Sequence, residues 1–415
     1  MVVKAGMERV PSDQARAAAF DLFAIPGGYI EAPHEWFRLL RDNDPVHRNA
    51  DGSMLITRYD DVRAAWRDLT CVVDKREQFQ RRFGDGPLLE HHTTGMLFRD
   101  PPDHDRLRKI VNPFFDTKSM ANLRPVTIEV TQRLLSSIED GAEVDFVDAF
   151  AFRLTIEVIC QMLGVPIEDG ARIQKYGKRL LYPLNPSVSP EEIADGHKAV
   201  AEFKEYLSEH LARVRAQRTI DKHRNILCAL VDAERNGADI SESEVMHMCI
   251  LALNGGHEST TNLIACAIHV MLDDPDKLAT FRRLGDDVSI AIEELIRFIS
   301  PIQLQGRRTT RSLELSGIRI PAGTELVFGV GAANRDDRVF AHADALVLDR
   351  NPNVHLGFGA GVHVCIGRVL ARLESSVALP AVVRHFRHIE RAGPPRFSPS
   401  VRFRGLRNLP LRMAR

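Results

Sequence analysis

Residues Phe358 to Gly367 read Phe-Gly-Ala-Gly-Val-His-Val-Cys-Ile-Gly, a single cysteine inside a glycine-studded loop that runs into a helix-like segment from Arg368 to Ala378. Glycines at 359, 361 and 367 let a backbone turn sharply and approach a flat body closely, which side chains would prevent. Such a loop can present one sulfur to a metal. A cysteine just before a helix start also faces the positive end of the helix dipole and its unpaired amides, so the thiolate of Cys365 is favoured as an anionic ligand.

The longest apolar pattern lies upstream. Ser241 followed three residues later by Glu244 has the form of a capping box, and the pattern behind it runs to Leu272. A helix of roughly 30 residues spans on the order of 45 Å. Its middle reads Asn254-Gly255-Gly256-His257-Glu258-Ser259-Thr260-Thr261. Two interior glycines cost roughly 2 kcal/mol relative to alanine, so something must require them. A flat cofactor lying against the backbone supplies the requirement. Glu258 beside a hydroxyl, Ser259 or Thr260, pairs a titratable group with a rotating donor and acceptor, the combination that relays protons.

Composition excludes several classes. With 55 basic and 56 acidic residues the chain has no global field of the kind nucleic-acid binders use. No run of about 18 apolar residues predicts a membrane span, and Met1 to Glu8 lacks a signal-peptide core, so a cytoplasmic protein is expected. The six cysteines are scattered without paired spacing, which argues against a zinc site or a disulfide framework.

Outward from these stretches, His34 to Asp44 and Asp60 to Leu69 read as helices, with two strands between them at Pro45 to Arg48 and Met54 to Thr57. Lys75 to Gly95 has little periodicity and reads as a long loop, a candidate lid. A helix starts at Asp100-Pro101-Pro102-Asp103 and carries His104 and Arg108 four apart on one face. Helical stretches follow at Met120 to Ile138 and Val147 to Leu163, then a proline-punctuated break at Leu180 to Pro190. Glu294 and Arg297 stand three apart on one face of a further helix. Short alternating runs at Leu313 to Leu315 and Ile318 to Ile320 read as a small sheet, and Pro380 predicts a kink or an end in the helix after the cysteine.

Phe358, Gly361, His363, Cys365 and Gly367 together resemble the heme-binding loop of the cytochrome P-450 superfamily. His104 and Arg108, the Gly255 to Thr260 segment, Glu294 with Arg297, Arg307, and Asn334-Arg335-Asp336 follow that family's order over nearly the whole chain. The resemblance implies a mainly α fold, a triangular helical single domain over residues 1–415 with a small β-rich region. It implies that Cys365 ligates the iron of heme b (iron protoporphyrin IX). Phe358, Gly359 and Gly256 would lie against the ring, and His104, Arg108, His363 and Arg307, with Arg308 as the alternative, would hold the propionates. The family's usual acid–threonine relay is here Glu258 with Ser259 or Thr260. Ala345 stands where many members carry the arginine that completes a triad with Glu294 and Arg297, and Arg350 is the preferred substitute, Arg338 the weaker one.

The function so implied is a monooxygenase that inserts one oxygen atom from O2 into a C–H bond of a small organic, secondary-metabolite substrate. No flavin or iron–sulfur segment is visible, so electrons are expected from a separate ferredoxin and ferredoxin reductase. Arg106, Lys109, Arg368 and Arg372 form a basic patch that would steer an acidic ferredoxin. No nucleic acid or membrane partner is expected. By position, the Lys75 to Leu97 loop, Leu180 to Pro190, Leu251, Asn254, Ile302 to Gln305, Arg402 and Phe403 line the substrate pocket, and Gln303, Gln305 and Arg402 suit a substrate with polar or acidic groups. Oxidative coupling or ring closure on the same scaffold is the first alternative, and a non-catalytic heme sensor the second.

Overall fold

Ser241 starts the helix that crosses the molecule. Its hydroxyl accepts from the Glu244 amide at 3.2 Å, and the Glu244 carboxylate accepts from the Ser241 amide at 2.8 Å, closing the capping box. The helix then runs unbroken over Glu242–Leu272, 31 residues or about 46 Å. Apolar residues occur all round it rather than along one stripe, which suits a helix with neighbours on every side. Phe152–Leu163 and Arg368–His385 pack against it within the main hydrophobic core. The computed structural model describes residues 12–415; the N-terminal stretch read for a signal peptide lies outside them.

A five-stranded sheet flanks the helices, in the order Val46–Arg48, Met54–Ile56, Glu325–Gly329, Leu304–Thr309, Cys71–Val72. Met54–Ile56 and Glu325–Gly329 run parallel, and the other pairs are antiparallel. The register that sets Arg307 opposite Leu326 belongs to the second of these strands' neighbours, Leu304–Thr309. Leu313–Leu315 and Ile318–Ile320 form the expected hairpin. Among the described residues no helix is long and apolar enough to cross a membrane.

Two expectations need correction and one is refined. Lys75 to Gly95 is not a loop but two helices, Arg76–Phe83 and Pro87–Thr94, separated by Gly84 and Gly86 at positive φ of 70° and 137°. The first helix buries only Phe79 and Phe83, one turn apart, and two anchors among arginines and glutamines leave almost no periodic signal. Val147 to Leu163 begins with a π-helical turn, Val147–Ala151, before regular helix. The helix after the cysteine does not end at Pro380 but runs on to His385. Leu379, Pro380 and Val382 are all buried, so core packing outweighs the one hydrogen bond that proline removes.

Candidate active site

The cysteine loop is held by its own backbone and by three arginines. The Cys365 amide donates to the Phe358 carbonyl at 2.9 Å. Arg108 reaches across from the helix Asp103–Val111 and donates to the carbonyls of Val362 at 3.2 Å and Val364 at 2.8 Å, while Arg368 donates to that of Cys365 at 3.1 Å. Arg372 stacks 4.5 Å over the Phe358 ring. Gly359 and Gly361 have φ of +73° and +74°, where side chains are strained. A Cβ on Gly361 would also sit 2.8 Å from the Trp66 carbonyl, and one on Gly359 3.2 Å from the Trp66 ring. These two glycines therefore serve the helix behind the loop, Tyr59–Arg67.

Cys365 opens onto a cavity of about 440 Å³, within the usual range for small-molecule sites. Burial pushes its thiol up, while the Gly367 amide and the charges of Arg108, Arg368 and Arg372 pull it down; burial prevails in the net direction. A cation bound to the sulfur would favour its thiolate form.

Arg307, His104, Arg108 and His363 share one end of the cavity. Arg307 is buried without a carboxylate partner, and burial lowers it to about 10. Arg308 does not face the cavity. The His104 and His363 rings lie 4.2 Å apart. Trp66 Nε1 is buried with no hydrogen-bond partner among the described residues, and His363 Nε2, also without a hydrogen bond, faces the Asp100 carboxylate at 3.7 Å. A cavity lined by a thiol, by an arginine with no ion pair among the described residues and by the unbonded Trp66 ring nitrogen fits a flat body bearing carboxylates, as heme b does.

On the central helix the two glycines divide the work. A Cβ on Gly255 would meet nothing within 4 Å, whereas one on Gly256 would lie 2.4 Å from the Ile159 side chain. Gly256 and Gly255 both line the cavity; Ile159 excludes a side chain at Gly256, while the missing side chain of Gly255 leaves open space. Glu258 and Ser259 line the cavity; Thr260 is buried and does not. Burial raises the Glu258 carboxyl above its ordinary value, with Lys178 opposing.

Behind the loop, Glu294 and Arg297 are fully buried and bonded at 2.7 and 2.8 Å. Arg350 donates to Glu294 at 3.0 Å, and the Val347 amide to the same carboxylate at 2.8 Å. Ala345 contributes its carbonyl to Arg297 at 3.1 Å, so the backbone stays in place while Arg350 supplies the side chain. Arg338 pairs instead with Asp336 and Asp42.

Leu251, Asn254, Gln305, Arg402 and Phe403 line the cavity, but Gln303 does not. It is buried and donates to the carbonyls of Ile299 at 3.0 Å and Ser300 at 2.6 Å, a structural role. The expected basic patch also shrinks, because Arg106 is tied to Glu244 at 2.6 Å and Arg372 to Glu293 at 2.6 and 2.7 Å. Lys109 remains exposed. Sequence reasoning missed Trp66 on the cavity wall, whereas Arg82, His91 and His92 lie within the Lys75 to Leu97 segment expected to line the pocket, though none was singled out. The adjacent histidines were a visible signal, set inside a segment read as loop.

The sequence profile of the cytochrome P-450 family matches residues 51–283 and 288–406. The chain belongs to the cytochrome P-450 family. Cytochrome P-450 107B1 of Saccharopolyspora erythraea is 35% identical over 410 residues, spanning 94% of this chain and 98% of its own. Vitamin D(3) 25-hydroxylase of Pseudonocardia autotrophica is 35% identical over 364 residues, 86% of this chain and 87% of its own. The crystal structure of CalO2 superposes with a TM-score of 0.89 at 30% identity, covering 96% of this chain and 99% of that one. As a cytochrome P-450 the chain is a heme-thiolate monooxygenase with heme b as its cofactor, using O2, an organic substrate and electrons from redox partners.

Proposed function

We propose that residues 1–415 act as one cytoplasmic monooxygenase domain that inserts an oxygen atom into a C–H bond of a small secondary-metabolite substrate, with electrons from a ferredoxin and its reductase. The observation that carries this is the shared cavity: the Cys365 thiol, the anion-seeking end at Arg307 and His363, and the Glu258–Ser259 pair all open onto it. Heme b bound through Cys365 supplies the activation of dioxygen. Arg307, His104, Arg108 and His363 hold its propionates, Phe358 and Gly359 lie beside it, and Glu294, Arg297 and Arg350 brace the loop from behind.

Glu258, whose carboxyl burial raises above its ordinary value, is the acid that delivers protons, and Ser259 is the hydroxyl that passes them on; Thr260 has no access. Arg402 has the Leu184 carbonyl as its hydrogen-bond partner and no carboxylate among the described residues, which favours substrates with an acidic group at that end. A relative named Nocardicin C N-oxygenase, 35% identical over 381 residues, supports the secondary-metabolite setting. The test is turnover with ferredoxin, reductase and heavy-isotope dioxygen, read by mass spectrometry. A product carrying one labelled oxygen atom is expected. An unlabelled product lacking a pair of hydrogens would replace insertion by oxidative coupling.

A further inference from the structure

His91 lines the cavity from the helix Pro87–Thr94, and its Nδ1 lies 3.2 Å from Nδ1 of His247 on the central helix. Both rings are buried, and burial lowers both imidazoles, so both are neutral. Between two neutral imidazoles one Nδ1 must donate and the other accept. What lies beyond His247 decides which. Its Nε2 lies 3.2 Å from Oε1 of Glu90, a charge contact short of hydrogen-bond geometry, and that carboxylate is bonded by Lys204 Nζ at 2.7 Å and by Ser243 Oγ at 2.9 Å. Burial would push Glu90 up, but these hydrogen bonds bring it to about 2, so it is an anion that can only accept.

The proton positions follow in sequence. A bare ring lone pair facing the Glu90 anion at 3.2 Å would be repelled, so His247 carries its proton on Nε2 and its Nδ1 is bare. His91 must then donate from Nδ1. Its Nε2, which no described residue bonds, is a bare lone pair left to the cavity that the ring lines. Among the described residues no group of His, Cys, Asp and Glu side chains is arranged to hold a metal, so this is not a metal site. His92, next in the chain, has no such relay; both its nitrogens are without partners, and Phe79, Phe83 and Phe98 surround it at 5.4 to 5.5 Å.

We propose that His91 is a specificity-determining hydrogen-bond acceptor, held in one tautomer by the Glu90–His247 relay, and that the cavity selects substrates presenting a hydroxyl or amine donor to it. The proposal rests on reading this cavity as the substrate pocket. No electron or covalent step is involved: Glu90 and His247 are positioning residues, and His91 alone touches substrate.

Two measurements test it. In the reduced, carbon-monoxide-bound holoenzyme, which is diamagnetic, nitrogen NMR of ring-labelled histidine reads each tautomer, with His91 assigned by its absence in His91→Gln. His91 is expected protonated on Nδ1 and to change tautomer in His247→Phe. A proton on Nε2, or no response to His247→Phe, overturns the relay. The second measurement compares 1-decanol with its methyl ether by the shift of the heme absorption band. The wild-type protein is expected to prefer the alcohol, and His91→Phe and Glu90→Gln to cut that preference by about fivefold, the factor of one ordinary neutral hydrogen bond. No preference in the wild type, or one unchanged in both variants, overturns the recognition role. The tautomer is read from the imidazole itself, so its failure is distinct from loss of the thiolate-type carbon-monoxide spectrum, which would instead remove the functional reading of the site.

Discussion

Gly256 shows how a residue can be rightly singled out for one reason while the packing supplies another. Only 2.4 Å separates its hypothetical Cβ from Ile159, a contact no real structure keeps, so Gly256→Ala must push the central helix off Phe152–Leu163. We expect a loss of about 1–3 kcal/mol in urea unfolding, largely recovered when Ile159→Ala is added to make room. Non-recovery would put the role of Gly256 elsewhere. Glu374 is a second case, silent in the sequence because a glutamate in a helix reads as surface. It is fully buried, its carboxyl has no partner among the described residues, and burial raises it well above the ordinary value. At acid pH the carboxyl is neutral in both folded and unfolded chains and costs little. As pH rises past about 4.3 the unfolded chain ionises while the fold keeps its proton, so wild-type stability falls toward the folded pKa at up to ~1.4 kcal/mol per pH unit. Glu374→Gln should therefore match the wild type at low pH and exceed it increasingly as pH rises, as urea midpoints across a pH series would show. A constant difference between the two would mean that the carboxyl finds a partner.

At the level of elements, the decisive joint is where the helix Ser289–Ile299 meets the segment from Asn334 to Asn353. Glu294 accepts from Arg297, Arg350, Asn353 and the Val347 amide, and Arg297 in turn holds the carbonyls of Asn334, Ala343 and Ala345. Removing the one carboxylate leaves two buried guanidiniums without their counter-ion. Glu294→Gln is predicted to lower the unfolding free energy by about 3–5 kcal/mol, seen as a lower urea midpoint at unchanged slope. A change under 1 kcal/mol would mean that the backbone carbonyls suffice. The Glu-x-x-Arg spacing was legible because helical geometry puts such residues on one face. Which arginine completes the set was not, because a coil segment has no period from which reach can be counted. The same lack of period hid the helices of residues 76–94, the first of which buries only two phenylalanines while the second buries His91, His92 and Thr93 beside Leu88.

Over the whole molecule, the long capped helix, the small sheet and the cysteine loop were readable, since each carries a local signal: a capping box, alternation, or glycines before a helix. The cavity wall was less so, because it gathers residues from Leu22 to Phe403 that only the tertiary fold brings together. Gln303 and Gln305, two apart on adjoining backbone, end on different sides of that wall, and Arg106 turns from a docking cation into a partner of Glu244. All of these residues take their meaning from one bond, that between Cys365 and the heme iron. Its most direct test is the carbon-monoxide difference spectrum of the reduced holoenzyme beside that of Cys365→Ser. A thiolate-type Soret shift in the wild type, absent from the variant, is the predicted result; a wild-type spectrum without that shift, or a variant that retains it, would contradict the assignment of Cys365.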